Sequence, residues 1–179
     1  MPHRRLITAL SELLLSVERV VVELDPETYR TVPEPFRTGS IGVHLRHCLD
    51  TCRALLEGLS AGRIDYCHRQ RDPQVEELPS RFLAVCAELR DALAALGELD
   101  PARELVVLPE PVVQGERPAA LTSNLARELE YLRSHTLHHL AMVGVLLRGL
   151  GIDPGRELGV APSTLAYWKE KERCVPRPG

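Results

Sequence analysis

The chain has 179 residues, of which 44% are hydrophobic and 26% charged, and its formal net charge of −3 comes from both signs interspersed along the sequence. This length fits one domain over residues 1–179, and the mixed charge excludes the basic face that neutralises phosphates, so we expect no nucleic-acid partner. Only 4% of the residues are aromatic, so Leu, Val and Ala must fill the core, which favours helices over sheets.

The first residues of the chain have the basic start of a secretion signal, but the apolar run that follows is interrupted by charged residues. Arg4 and Arg5 precede an apolar run, but Glu12, Glu18 and Arg19 interrupt it, which is typical of an amphipathic helix. No stretch has the length needed to span a bilayer, so we expect no membrane partner. The five cysteines include no CxxC pair and, with no signal segment, they predict the reducing cytoplasm.

Four segments carry apolar residues at alternating steps of three and four, and each predicts one helix. The first covers residues 4–24 and is stopped by Pro26. The second has Ser40 as its N-cap and ends at Gly62. Its apolar seam includes Cys48 and Cys52, which we interpret as small buried hydrophobes and not as ligands. The seam of the first helix comprises Leu6, Leu10, Leu13, Val17, Val20 and Leu24.

The third helix begins after Pro79, with Ser80 as a candidate cap, and ends at Gly97. Two β-branched runs follow it, at residues 104–108 and 111–114, and they predict a small hairpin between the third and fourth helices.

The fourth and longest helix starts near Thr122 or Ser123 and ends before Gly151. A short terminal helix that carries Trp168 follows, with Ser163 as its cap. A seam of period 3.5 on every long helix is what bundles with crossing angles of about 20° require. We therefore predict an all-α fold, a four-helix bundle with long connecting loops.

Five of the seven histidines fall into two short windows, and the window in the fourth helix has the spacing of a metal site. At about 100° per residue, His135 and His139 point about 40° apart and lie about one turn from each other, so both imidazoles can reach one ion. Both face the apolar side of the helix. His138 points away from that side, toward solvent or a partner subunit.

A third ligand must come from the second helix, where His44 and His47 both lie at the edge of the apolar stripe. Helical phase mildly favours His44. The alternative is that these imidazoles are core or surface residues bonded to carbonyls, but three in one core would each need a separate partner. A zinc peptidase of the HExxH type is excluded because Thr136 stands where that motif needs a glutamate.

Several stretches of the sequence resemble the DinB/YfiT-like metalloenzymes, and the resemblance covers nearly the whole chain. They are Ser40-Ile-Gly-Val-His-Leu-Arg-His-Cys-Leu-Asp50, Leu125-Ala-Arg-Glu-Leu, Ser134-His-Thr-Leu-His-His139 and, as in the tail of one uncharacterised branch, Gly159-Val-Ala-Pro-Ser-Thr164. In such proteins a four-helix bundle holds one metal. In these relatives the second-helix ligand is the last residue of a three-residue pattern, an apolar residue, any residue and then histidine, which matches Leu45-Arg46-His47. The resemblance therefore implies His47, His135 and His139 as ligands, with His44 as a neighbour or a rival.

The resemblance also implies a type of chemistry. The family includes thiol-dependent transferases and isomerases, so we expect a metal-dependent enzyme that acts on a small molecule with a low-molecular-weight thiol. A thiol bound at the open position of a zinc, nickel or iron ion would become a thiolate at neutral pH. Where many relatives have Arg-Gly-Gln after the histidines, this sequence has Leu140-Ala-Met142, which leaves the substrate open.

Polar residues near the expected site are candidates for contacts with the substrate. Arg46, Arg69, Arg71 and Tyr66 could gather at its mouth and hold an anionic molecule, and His138 is a further candidate, although each one alone is more often a solvated residue. The alternative function is a non-catalytic bundle, stabilised by its metal, that associates with another protein. A homodimer through the outer helix faces is also expected.

Overall fold

Helices make up most of the computed structural model, which describes residues 2–37, 39–109 and 118–174. A small three-stranded sheet completes the fold. The helices are α1 (Pro2–Val21), α2 (Pro26–Arg30), α3 (Ile41–Ala61), α4 (Pro73–Glu77), α5 (Pro79–Ala95), α6 (Leu125–Gly149) and α7 (Pro162–Cys174). The strands are β1 (Arg63–Asp65), β2 (Glu104–Leu108) and β3 (Leu121–Asn124). Within the described ranges no helix combines the length and the apolar character needed to cross a membrane.

The four long helices α1, α3, α5 and α6 enclose the hydrophobic core. Helices α1 and α3 each contact both α5 and α6. The stripe that α1 buries differs from the predicted seam, because Ile7, Leu14 and Val21 are at most 6% exposed while their predicted neighbours are only partly buried. The apolar face of α1 is therefore broader than a 3.5-residue seam, as expected for a helix that packs against two others.

The ends of α3 and α6 are fixed by capping residues, and these two helices carry the clustered histidines. The side chain of Ser40 accepts a hydrogen bond from the backbone amide of Val43, and Gly62 closes α3 in the left-handed conformation, as predicted. Helix α6 starts later than predicted. Its N-cap is Asn124, which accepts from the amide of Arg127, because Thr122 and Ser123 belong to strand β3.

Two other predicted caps are wrong. Helix α5 begins at Pro79 itself with no side-chain cap, so Ser80 lies inside the helix. Helix α7 begins at Pro162, so Ser163 also lies inside it. Both helices start at a proline, whose fixed φ suits the first helical position and whose missing N–H costs nothing there.

The sheet joins segments that are distant in sequence. Strand β2 pairs with β1 in parallel and with β3 in antiparallel register. The prediction of strand structure at residues 104–108 is confirmed, but its described antiparallel partner is β3, and the other predicted run, at 111–114, lies outside the described residues. The loops expected around α3 also contain two short helices, α2 and α4, which sequence periodicity does not reveal because each has only five residues.

Candidate metal centre

His47 of α3 and His135 and His139 of α6 converge on one point of the fold. Each offers one ligand atom, and these three atoms lie within 4.8 Å of one another. The ring centroids of His135 and His139 are 4.6 Å apart, and the His47 ring lies 4.8 and 4.6 Å from them, so no aliphatic side chain separates the three. All three residues are half-buried. The prediction that these histidines meet is confirmed.

Helix geometry explains the convergence. His135 and His139 are four residues apart on α6, so they project from the same face about one turn apart. Helix α3 packs along that face and brings His47 across the interface. Nε2 of His47 lies 2.8 Å from Nε2 of His135, within hydrogen-bond distance.

His44 lies one layer behind this group. It is only 7% exposed, and its Nδ1 is 3.0 Å from Nδ1 of His139. Because Nδ1 of His139 is occupied by this hydrogen bond, Nε2 is the nitrogen of His139 that remains to meet an ion. The mild preference of helical phase for His44 as the third member of the group is wrong: phase identified the more buried residue, and the histidine that joins the group lies at the edge of the stripe.

The electrostatic environment keeps His47 and His139 neutral. Burial, followed by the positive charge of Arg69, lowers the pKa of His47 from 6.5 to about 3. Burial and the neighbouring His135 lower the pKa of His139 to about 4, and burial also lowers the pKa of His44. A neutral imidazole has a lone pair to donate, so His47 and His139 are in the form that binds a metal throughout the physiological pH range.

The group fits a divalent transition metal by its donor chemistry. Three imidazole nitrogens suit zinc, nickel and iron, whereas magnesium and calcium prefer oxygen ligands. Three ligands, all half-buried, are also the number found in sites that keep one position open.

The predicted substrate candidates have different environments. The guanidinium of Arg46 is buried and pairs with Asp50 at 2.7 Å and with Glu76, so it is committed to joining α3 and α4. Arg71 is exposed, and no contact among the described residues joins it to the histidines. Arg69 lies beside the group and donates to the hydroxyl of Thr51.

His138 and Tyr66 complete the set of predicted residues. His138 is exposed, as predicted, with its ring 5.3 Å from that of His139. Tyr66 is buried. Its hydroxyl donates to Oε2 of Glu128 at 2.6 Å, and burial together with this carboxylate raises the pKa of Tyr66 well above its usual value.

Two residues of this region, Glu128 and Tyr131, were not found by sequence reasoning. The Tyr131 ring stacks on His135 with a centroid distance of 5.4 Å, and it lies 5.1 Å from the ring of Tyr66. Buried Glu128 accepts from Ser123 as well as from Tyr66. A pocket of about 330 Å³ is lined by Tyr66, Glu128, Tyr131 and residues of β2 and β3. Glu128 stands seven residues before His135 on the same helix face, and that spacing was the available signal.

Comparison with known proteins identifies the family. A search of the curated proteins gives no match. A sequence model of the DinB superfamily matches residues 9–143, which is well over half of the chain and includes all three clustered histidines. The chain therefore belongs to the DinB superfamily.

Proposed function

We propose that this protein is a metal-dependent enzyme in which His47, His135 and His139 hold one divalent transition ion within a four-helix bundle of α1, α3, α5 and α6. The observation that carries the proposal is the convergence of three imidazoles from two helices, with ligand atoms within 4.8 Å of one another. The half-burial of the three residues, which leaves part of each one exposed, favours catalysis over a closed structural site.

The proposed reaction is a thiol-dependent transfer to, or isomerisation of, a small molecule. When bound, such an ion supplies a Lewis-acid position at which the pKa of a small thiol falls, giving a thiolate at neutral pH. The residues of the chain orient and enclose this position. His44 fixes the ring of His139 through its Nδ1, and the stacked ring of Tyr131 supports His135.

Metal analysis tests the first step. Protein purified without an affinity tag is expected to contain about one zinc, nickel or iron ion per chain by mass spectrometry of the elements. His135→Ala is expected to lose most of this metal because two ligands hold an ion far less tightly than three. His138→Ala is the matched control, since it removes an adjacent but exposed imidazole, and it should keep the wild-type content. Wild-type protein without stoichiometric metal, or a His135→Ala variant that keeps it, would contradict the proposal.

A turnover assay tests the second step. Metal-loaded protein, chelator-treated protein and His135→Ala are each mixed with cysteine or glutathione and with 1-chloro-2,4-dinitrobenzene, and formation of the thioether is followed by absorbance. We expect a rate above background from the loaded wild-type protein alone. If loaded protein shows no turnover over a panel of thiols and electrophiles, the enzymatic part of the proposal fails while the metal site stands.

The second candidate is a bundle whose ion has a purely structural role in association with another protein, including a second copy of this chain. The observation that favours it is the origin of the ligands, because an ion held by α3 and α6 would link these two helices. A large gain of stability from metal without any turnover would support this function.

A further inference from the structure

The positive charge of Arg69 acts on both His47 and His139, and no ion pair among the described residues joins its guanidinium to a carboxylate. Arg69 lies on the segment between β1 and α4. Its Nη1 donates to the hydroxyl of Thr51 at 3.1 Å, and that hydroxyl donates to the backbone oxygen of His47 at 2.8 Å. Two hydrogen bonds thus tie the guanidinium to the turn of α3 that follows His47.

The hydrogen bond to Thr51 engages only Nη1 of the guanidinium, so Nε and Nη2 are not used by it. Nε of Arg69 is buried and has no hydrogen-bond partner among the described residues. A buried N–H without a partner is costly, which points to a ligand that supplies the acceptor. With Nη1 engaged, Nε and Nη2 form the side of the guanidinium that binds the two oxygens of a carboxylate in parallel.

The charges around Arg69 also favour an anionic ligand. Burial raises the pKa of Asp50 and the charge of Arg69 acts to lower it, but Asp50 is already paired with Arg46 at 2.7 Å, and Glu76 pairs with Arg46 as well. The three imidazoles bring no negative charge. A divalent ion held by them would add two positive charges beside Arg69, and a half-buried site of this kind favours an anionic ligand.

We propose that Arg69 binds a carboxylate of the small molecule that occupies the open position of the metal. This assigns carboxylate-bearing small molecules, thiol acids among them, as the substrate class. The metal-linked part of this inference rests on the proposed function, whereas the anion site itself does not need the ion.

Two thiols that differ in their charge test the assignment in protein loaded with cobalt(II). Mercaptoacetate carries a carboxylate and 2-mercaptoethanol does not, and both are titrated against the visible spectrum of the ion. We expect wild-type protein to bind mercaptoacetate at least about tenfold more tightly, as for a hydrogen-bonded charge pair. Arg69→Met is expected to abolish this preference and Arg69→Lys to keep part of it. Arg71→Met, an exposed arginine on the same segment, is the matched control and should keep all of it.

A preference that survives in Arg69→Met would overturn the proposal, because it would then arise from the metal alone. Circular dichroism and the cobalt content establish that each variant is folded and loaded.

The anion site is tested separately in metal-free wild-type protein. Titration with acetate, followed by the NMR signal of the Arg69 Nε–H, is expected to give a saturable shift, while acetamide gives none. A saturable shift in a protein that fails to hold cobalt would keep the anion site and reject the proposed function. Absence of any shift with acetate would reject the anion site, whatever the metal result.

Discussion

The hydrogen bond between His44 and His139 determines which nitrogen of His139 faces a potential ion. For His139 to present an unprotonated Nε2, its Nδ1 must carry the proton and donate to Nδ1 of His44, 3.0 Å away. His44 then carries its own proton on Nε2, which is buried and has no partner among the described residues. His44 is thus held in a costly state that serves the orientation and tautomer of His139.

We predict that His44→Ala weakens the affinity for zinc by about tenfold to a hundredfold, as is usual when a residue that orients a metal-binding histidine is removed. The ion should still bind with a stoichiometry near one, because the three ligands remain. Competition with a chromophoric chelator measures the affinity. His138→Ala also removes an imidazole next to His139, but an exposed one, and its affinity should equal that of the wild type. Equal affinities for His44→Ala and wild type would show that His44 does not support the site.

The histidines show what sequence can and cannot decide at the level of residues. The spacing of His135 and His139 was sufficient to predict their convergence because it depends on helix geometry alone. The choice between His44 and His47 was not decided by phase. Periodicity reports burial, and it correctly identified His44 as the more buried residue. His47, the histidine that joins the group, lies at the border of the stripe, and only the family pattern indicated it.

At the level of elements, the close approach of α3 to α2 and α4 depends on Gly42. A Cβ atom at this position would overlap the backbone oxygen of Glu76 in α4 and lie 2.6 Å from Cε1 of Tyr29 in α2. Tyr29 is fully buried, and its hydroxyl donates to the backbone oxygen of Val75. Because these neighbours are a packed ring and main chain, they cannot move aside without loss of contacts.

We predict that Gly42→Ala lowers the free energy of unfolding by about 2 kcal/mol or more, since overpacking usually costs about 1–3 kcal/mol and here a backbone segment must shift. Urea denaturation followed by circular dichroism measures the change. Gly97→Ala is the matched control, because the nearest atom to its Cβ, Cγ of Arg4, would be at an ordinary 3.7 Å. Its change should stay within about 0.5 kcal/mol. Similar effects for the two variants would contradict the close packing at Gly42.

The sequence predicted the long helices better than the short elements between them. Helices α1, α3, α5 and α6 each have 17 or more residues, enough for a repeating pattern of apolar residues, and Ser40 and Gly62 bound α3 by local chemistry. By contrast, β1 has three residues and pairs with β2 some forty positions later along the chain. No local pattern predicts such a pairing, because its stability comes from the partner strand.

For the whole molecule, local sequence predicts the positions of the paired histidines but not the positions of the residues around them. Two of the three histidines lie one turn apart, so a single helix brings them together. Arg69 and Tyr66 lie on the segments around β1, and their positions follow from the packing of that segment against α3 and α6. Sequence reasoning therefore gave Arg46 and Arg69 as equal candidates, but it could not show that Arg46 forms two ion pairs whereas Arg69 forms none among the described residues.

An ion that links α3 to α6 must also stabilise the whole molecule, because the unfolded chain does not hold the three imidazoles together. Zinc at about 100 times its dissociation constant should add about 2.7 kcal/mol to the free energy of unfolding. For a protein of this size that corresponds to a rise in Tm of about 5–10 °C, reversed by a chelator.

Differential scanning calorimetry of the zinc-loaded and chelator-treated protein measures this shift. His135→Ala should unfold at the same temperature with and without zinc, whereas His138→Ala should keep the full shift. A wild-type Tm that zinc does not change would mean that α3 and α6 are not linked through an ion. A full shift together with no thiol turnover would favour the structural role, since stabilisation requires only that the ion be held, whereas catalysis also requires that its open position be reached by substrate.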